Sequence, residues 1–135
     1  MKNYKNTIIP VVAAVILNKE NKILLAQRNA NMSRGLKWEF PGGKLRINET
    51  PEDCLKREIK EELGIKIKIR QLFDSVNYSY PDKNILLLAF LADFVFGEFV
   101  VTDHRQVKWV SMHELTNYEL SSADVPIAQK LISSF

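Results

Sequence analysis

The sequence predicts an α/β (α+β) protein in which a mixed β-sheet is sandwiched between helices. Three observations carry this reading. Runs rich in β-branched and aliphatic residues recur at 8–17, 22–28, 65–80, 84–96 and 107–110, and each reads as a strand. One helix with clear start and stop signals interrupts them after Thr50, and a second follows Asp124. Hydrophobic residues make up 46% and charged residues 26% of the 135 positions, which excludes a disordered or low-complexity chain. That length fits one domain, 1–135, and no shift in composition marks a boundary.

Taken in order, residues 8–17 follow Lys2 and Lys5 and so loosely imitate a secretion signal. No small-residue cleavage site follows Leu17, and Pro10 and the β-branched content favour a buried first strand. A turn over 18–21 leads into the second strand, and a polar loop covers 29–35. Trp38-Glu39-Phe40-Pro41-Gly42-Gly43-Lys44 reads as a short extended segment ending in a turn that glycine permits. Thr50 is a good N-cap, Pro51 suits the first helical position and Gly64 supplies the stop. Between them Leu55, Ile59 and Leu63 form one apolar stripe. The strands 65–80 and 84–96 are joined by a hairpin turn at Pro81-Asp82-Lys83. Lys66, Lys68 and Arg70 alternate with Ile65, Ile67 and Ile69, the pattern of a strand with one solvated face. Ser111 and Glu114 form a capping-box pattern for a short helix, and Asp124 opens the terminal one.

Composition narrows the function classes. A net charge of +3 does not argue for nucleic acid and suits a small anionic ligand. The longest apolar run, 85–92, is far shorter than the ~20 residues that span a bilayer. Cys54 is the single cysteine, which excludes an intrachain disulfide or a multi-cysteine metal site and suits a reducing cytoplasm. The expected partner is a small molecule, with no nucleic-acid, membrane or protein partner evident.

The helix after Thr50 holds more acid than packing needs. Glu58, Glu61 and Glu62 fall within about a third of its circumference. Such a cluster reads either as a solvated surface or as a site for a hard cation, which carboxylate oxygens, water and substrate phosphates would coordinate. Its setting favours the second. From Gly43 to Ile65 the chain fits G-x5-E-x7-R-E-U-x-E-E-x-G-U, with U a bulky aliphatic residue, at every position. A chance match in a chain this long is on the order of one in ten million.

This segment resembles the box of the Nudix hydrolases. Trp38–Lys44, Tyr78-Ser79-Tyr80-Pro81-Asp82-Lys83 and Ser122-Ala123-Asp124-Val125-Pro126-Ile127 are similar to segments of the MutT branch, which hydrolyses nucleoside triphosphates. The resemblance implies a Nudix fold and Mg²⁺-dependent release of a monophosphate and pyrophosphate, with Mn²⁺ as a substitute cation. It implies metal binding by Glu58, Glu61, Glu62 and the Gly42 carbonyl, with a Glu49–Arg57 salt bridge as support. Arg28 and Lys44 would meet phosphate. Counting back six residues from Trp109 gives Asp103 as a candidate base, shorter than the glutamate of MutT, with Glu58 as the alternative.

Phe40 and Tyr80 match base-contacting positions, although each fits the core equally well. Asp124 stands where MutT has asparagine; ionised, it could only accept hydrogen bonds and would favour a base presenting an N–H. Oxidised guanine and cytosine both qualify. Cys54 reads as inert filler, His104 as a solvated loop residue, His113 as without a role and Trp109 as core. Two other readings are another nucleoside-diphosphate derivative, such as a dinucleoside polyphosphate or ADP-ribose, and a non-catalytic nucleotide-binding module.

Overall fold

The continuous apolar run of the first strand makes it the axis of the sheet. In the computed structural model, which describes residues 6–135, β1 (Ile8–Leu17) runs parallel to β6 (Asn84–Phe96) along its whole length. Lys2 and Lys5 lie outside the described residues. On its other side β1 forks. Its first half pairs antiparallel with β4 (Gly42–Lys44), and its end meets β2 (Ile23–Arg28) at Leu17 and Ile23. β5 (Lys66–Ser79) pairs antiparallel with β6, while β3 (Trp38–Glu39) and β7 (His104–Val110) both pair antiparallel with β2. The result is a mixed seven-stranded sheet.

Both faces of β1 are covered, which explains its lack of alternation. Val12, Ala14 and Ile16 point into one core with Leu55, Ile59 and Leu63 of α1 (Pro51–Leu63). Ala13, Val15 and Leu17 point into the other with Ile127, Ala128 and Leu131 of α2 (Val125–Ser134). The sheet is therefore sandwiched between helices, as the sequence predicts. α1 begins and ends on its expected signals. The Thr50 side chain accepts from the Asp53 N–H at 3.1 Å, and Gly64 takes the left-handed conformation at φ 71°. Lys66, Lys68 and Arg70 are exposed on the solvated face of β5. Among the described residues no helix is long and apolar enough to cross a membrane.

Four local expectations are revised. β7 begins at His104 rather than at 107, because it follows β2 to Arg28 and backbone pairing does not need an alternating pattern. Residues 42–44 form a strand, not a turn, and neither Gly42 nor Gly43 has a positive φ. The glycine at 42 meets a spatial demand: a Cβ there would lie 1.8 Å from the Val12 carbonyl oxygen. Ser111 makes no side-chain bond to the backbone of the 3-10 helix Met112–Asn117; its hydroxyl meets the Glu114 carboxylate instead. Asp124 occupies the N-cap position of α2 without capping it, because its side chain is buried toward the sheet.

The contact at Gly42 gives a direct test of the β1–β4 pairing. Gly42→Ala should lower unfolding stability by about 3 kcal/mol, the upper range for forced overpacking, as read from the midpoint of a urea titration.

Candidate active site

One guanidinium organises the acidic face of α1. Arg57 donates from Nε and Nη2 to the two oxygens of Glu49, at 2.7 and 3.0 Å, in a bidentate pair. Its Nη1 donates to Glu58 at 2.7 Å and to Glu61 at 3.2 Å. The hydrogen bonds from Arg57 hold the Glu49 carboxyl down at about 2, and those to Glu49 first and Glu58 next raise the guanidinium above its usual range. Glu49 belongs to the segment between β4 and α1, so this pair ties that segment to the helix.

Gly43 brings β4 against the same face. A Cβ on Gly43 would lie 2.4 Å from the Glu58 carboxylate, so only glycine leaves that carboxylate its place. Glu62 sits deeper. One of its oxygens is buried without a partner among the described residues, and burial, then the neighbouring charge of Glu58, pushes its carboxyl up to about 8. Glu61 is the exposed member, at 56% of its side chain. The loop leading to β7 closes over the end of α1. The Val100 N–H donates to the Leu63 carbonyl at 3.0 Å, and the Thr102 N–H to that of Glu62 at 3.2 Å. Asp103 follows; its charge acts on Glu62, and its carbonyl accepts from Asn29 Nδ2 at 3.1 Å.

The oxygen donors and the partnerless oxygen of Glu62 fit a hard divalent cation. Among the described residues no three Asp, Glu, His or Cys side chains form a ready-made cage. Arg57 draws Glu58 and Glu61 to itself, and like charges do not converge without a cation between them.

Beyond Gly43, on the α2 side of the sheet, a cavity of about 400 Å³ is walled by Arg28, Glu39, Phe40, Lys44, Tyr80 and Asp124. It also contains Arg34 and Lys83, which sequence reasoning missed. Burial, reinforced by the charges of Arg34, Lys44 and Arg28, pushes the Lys83 amine below the usual lysine range. An anion in the cavity would offset that crowding of cations. Phe40 is buried in the wall. Tyr80 is fixed in place: its hydroxyl accepts from the Ala123 N–H at 2.9 Å, and the Arg34 guanidinium covers its ring at 4.1 Å.

Asp124 is 6% exposed, and burial first, then the charge of Glu39, raises its carboxyl well above the usual range. Burial thus disfavours the ionised form, and a protonated carboxyl both donates and accepts, as an amide does. The acceptor-only role expected of Asp124 belongs to its ionised form, the form that burial disfavours. Glu39, also unmarked by any sequence signal of its own, accepts from Arg28 Nη1 at 3.1 Å and pairs with His104 Nε2 at 2.9 Å. His104 is thus not a solvated loop residue; only 7% of its side chain is exposed. Cys54 is fully buried, and burial pushes its thiol up to about 11, consistent with inert filler. Trp109 packs on Phe94 and Phe99 in the α1-side core, and His113 is exposed.

The raised carboxyl of Glu62 has a signed consequence for stability. A folded-state value near 8 against an ordinary 4.5 favours folding fully below 4.5, and that advantage fades as pH rises through 8. With chelator present, Glu62→Gln should melt with the parent near pH 4 and above it at pH 9. Calorimetric scans across that range check the sign.

Known proteins are similar to this chain along nearly its whole length. The NUDIX domain matches residues 7–132. An 8-oxo-dGTP diphosphatase of Escherichia coli is 32% identical over 91% of this chain and 95% of its own length. A CTP pyrophosphohydrolase of the same organism is 34% identical over 93% of this chain and 92% of its own. The solution structure of the E. coli ORF135 protein superimposes with a TM-score of 0.83 at 34% identity, covering 98% of this chain and 94% of that one. With the box, the sheet and the acidic helix in these places, the chain belongs to the Nudix hydrolase family.

Proposed function

We propose that this protein is a MutT-like nucleoside triphosphate pyrophosphohydrolase that uses Mg²⁺ to convert a triphosphate and water into a monophosphate and pyrophosphate. The observation that carries this reading is the junction at Gly42–Lys44. There an acidic helix face able to hold a divalent cation meets a cavity rich in cations and aromatic walls. A nucleotide laid across that junction places its phosphates between the acids and the cations of the cavity, with its base against Phe40 and Tyr80.

When bound, Mg²⁺ supplies charge neutralisation for the phosphates and a lower pKa for an attacking water. Glu58, Glu61 and Glu62, with the Gly42 carbonyl, would hold it. Arg57 keeps Glu58 and Glu61 oriented from behind through the bonds that also anchor Glu49. Lys44 is exposed at the cavity wall and meets phosphate from the side opposite the acids. Arg28 gives its Nη1 and Nε to Glu39 and to the Ser33 carbonyl, so its part is to shape the wall and lend it charge. Asp103 acts as the general base from the loop bonded to α1, and Glu58 is the alternative.

Phe40 and Tyr80 enclose the base, and Asp124, whose ionised form burial disfavours, meets its edge; when protonated it offers one donor and one acceptor. That arrangement accommodates oxidised guanine as well as cytosine, the two base types acted on by the relatives named above.

The test is pyrophosphate release with Mg²⁺ against 8-oxo-dGTP, dGTP, CTP, dCTP, 5-methyl-dCTP and ADP-ribose. At least one triphosphate should yield monophosphate and pyrophosphate. Glu58→Gln should lower that turnover by at least about a hundredfold, as removal of a group serving the transition state does. Nucleotide binding without turnover of any triphosphate would contradict the reading.

A further inference from the structure

Glu39 stands in the cavity wall with both oxygens engaged from the protein side. Oε1 accepts from Arg28 Nη1 at 3.1 Å, and Oε2 pairs with His104 Nε2 at 2.9 Å. Arg28 comes from β2 and His104 from the first position of β7, so two neighbouring strands clamp a carboxylate carried by β3. The imidazole is nearly closed off from solvent, at 7% exposure, and its Nδ1 is buried without a partner among the described residues. A buried side chain with one ring nitrogen unsatisfied is costly to keep as mere packing. Among the described residues the side-chain contact it makes is the bond to Glu39.

Glu39 also faces the groups that matter at both ends of the site. Its charge acts on Asp124 in the cavity and on Glu62 on the acidic helix. Each carboxylate oxygen has two lone pairs, so a carboxylate held by Arg28 and His104 retains accepting capacity toward the cavity. Left unclamped, it would be free to rotate and to hydrogen-bond elsewhere.

We propose that His104 is a positioning residue for base selection: its Nε2–H fixes the Glu39 carboxylate in the cavity wall beside Asp124. The selectivity of the pocket is then set partly from β7, the strand that follows Asp103. This rests on the pyrophosphohydrolase reading for the reaction, but not for the contact itself. A residue that merely supports the fold would weaken every nucleotide alike. One that aims Glu39 changes the ratio between nucleotides.

The experiment compares His104→Gln and His104→Asn with the parent, because both are polar and close in size to histidine. The Gln amide nitrogen reaches the place of Nε2, whereas that of Asn stops near Nδ1. The ratio of kcat/KM between the best and the poorest triphosphate should stay near the parent value in the Gln variant. In the Asn variant it should fall about tenfold, the order expected for loss of one hydrogen bond to a charged group. Combined with Glu39→Gln, the Asn substitution should cause little further loss, since both remove the same contact.

Equal losses for all triphosphates, failure of Gln to rescue, or additive losses in the double variant would overturn the proposal. If the parent turns over no triphosphate, the same ratios are read as Kd values for non-hydrolysable αβ-methylene analogues of 8-oxo-dGTP, dGTP, CTP and dCTP. An unchanged Kd ratio in the Asn variant also overturns it. Absence of turnover alone counts against the reaction assigned above, not against the role of His104.

Discussion

The guanidinium of Arg57 touches four other side chains at once, and the chemistry of the site depends on that arrangement. Its bidentate pair with Glu49 closes the segment between β4 and α1 onto the helix, while Nη1 reaches Glu58 and Glu61. The fourth contact, from Nη2 to Cys54 Sγ at 3.7 Å, sets the guanidinium against the buried base of the helix. Three glutamates on one helical face repel one another, so a helix bearing them needs a counter-charge even without a metal ion. Lysine at this position would keep the charge but could not make the planar fork. Glu58 and Glu61 are thus held in place by the protein itself.

A second constraint is the fork in the sheet. β1 pairs with β4 along its first half and meets β2 only at its end. That divergence gives β4 a place where Gly43 faces the acids of α1 while Lys44 and Phe40 face the cavity beneath α2. Close approach is needed on both sides of the glycine pair, to the Val12 carbonyl at Gly42 and to Glu58 at Gly43. Charge is separated accordingly. The acids lie on the α1 side, and Arg28, Arg34, Lys44 and Lys83 gather around the cavity.

Much of this was legible in the sequence because the signals are local. Thr50, Pro51 and Gly64 bounded α1, the apolar runs located the long strands, and the box spacing placed Glu49, Arg57 and the three acids on one segment. What remained hidden depends on distant partners. His104 looks like a loop residue until β7 is extended to pair with Arg28 of β2, which buries its ring beside Glu39. Asp124 reads as a helix cap and an ionised acceptor until the fold buries it near Glu39, which disfavours the ionised form. Arg34 and Lys83 lie in a loop and a turn, and only folding brings them to the cavity with Tyr80. The glycines at 42 and 43 suggest a turn, because sequence cannot distinguish a need for conformational freedom from a need for space.

If Arg57 pre-arranges the acidic face for a divalent cation, replacing its planar fork should weaken cation binding. The most direct test is Mn²⁺ binding to the parent and to Arg57→Lys, followed by electron paramagnetic resonance of the free ion. The parent should bind Mn²⁺, and the lysine variant, folded and equally charged, should bind it about tenfold more weakly, as loss of an orienting partner behind metal ligands predicts. Equal affinity in the two proteins would mean that Arg57 does not arrange the acids for the cation.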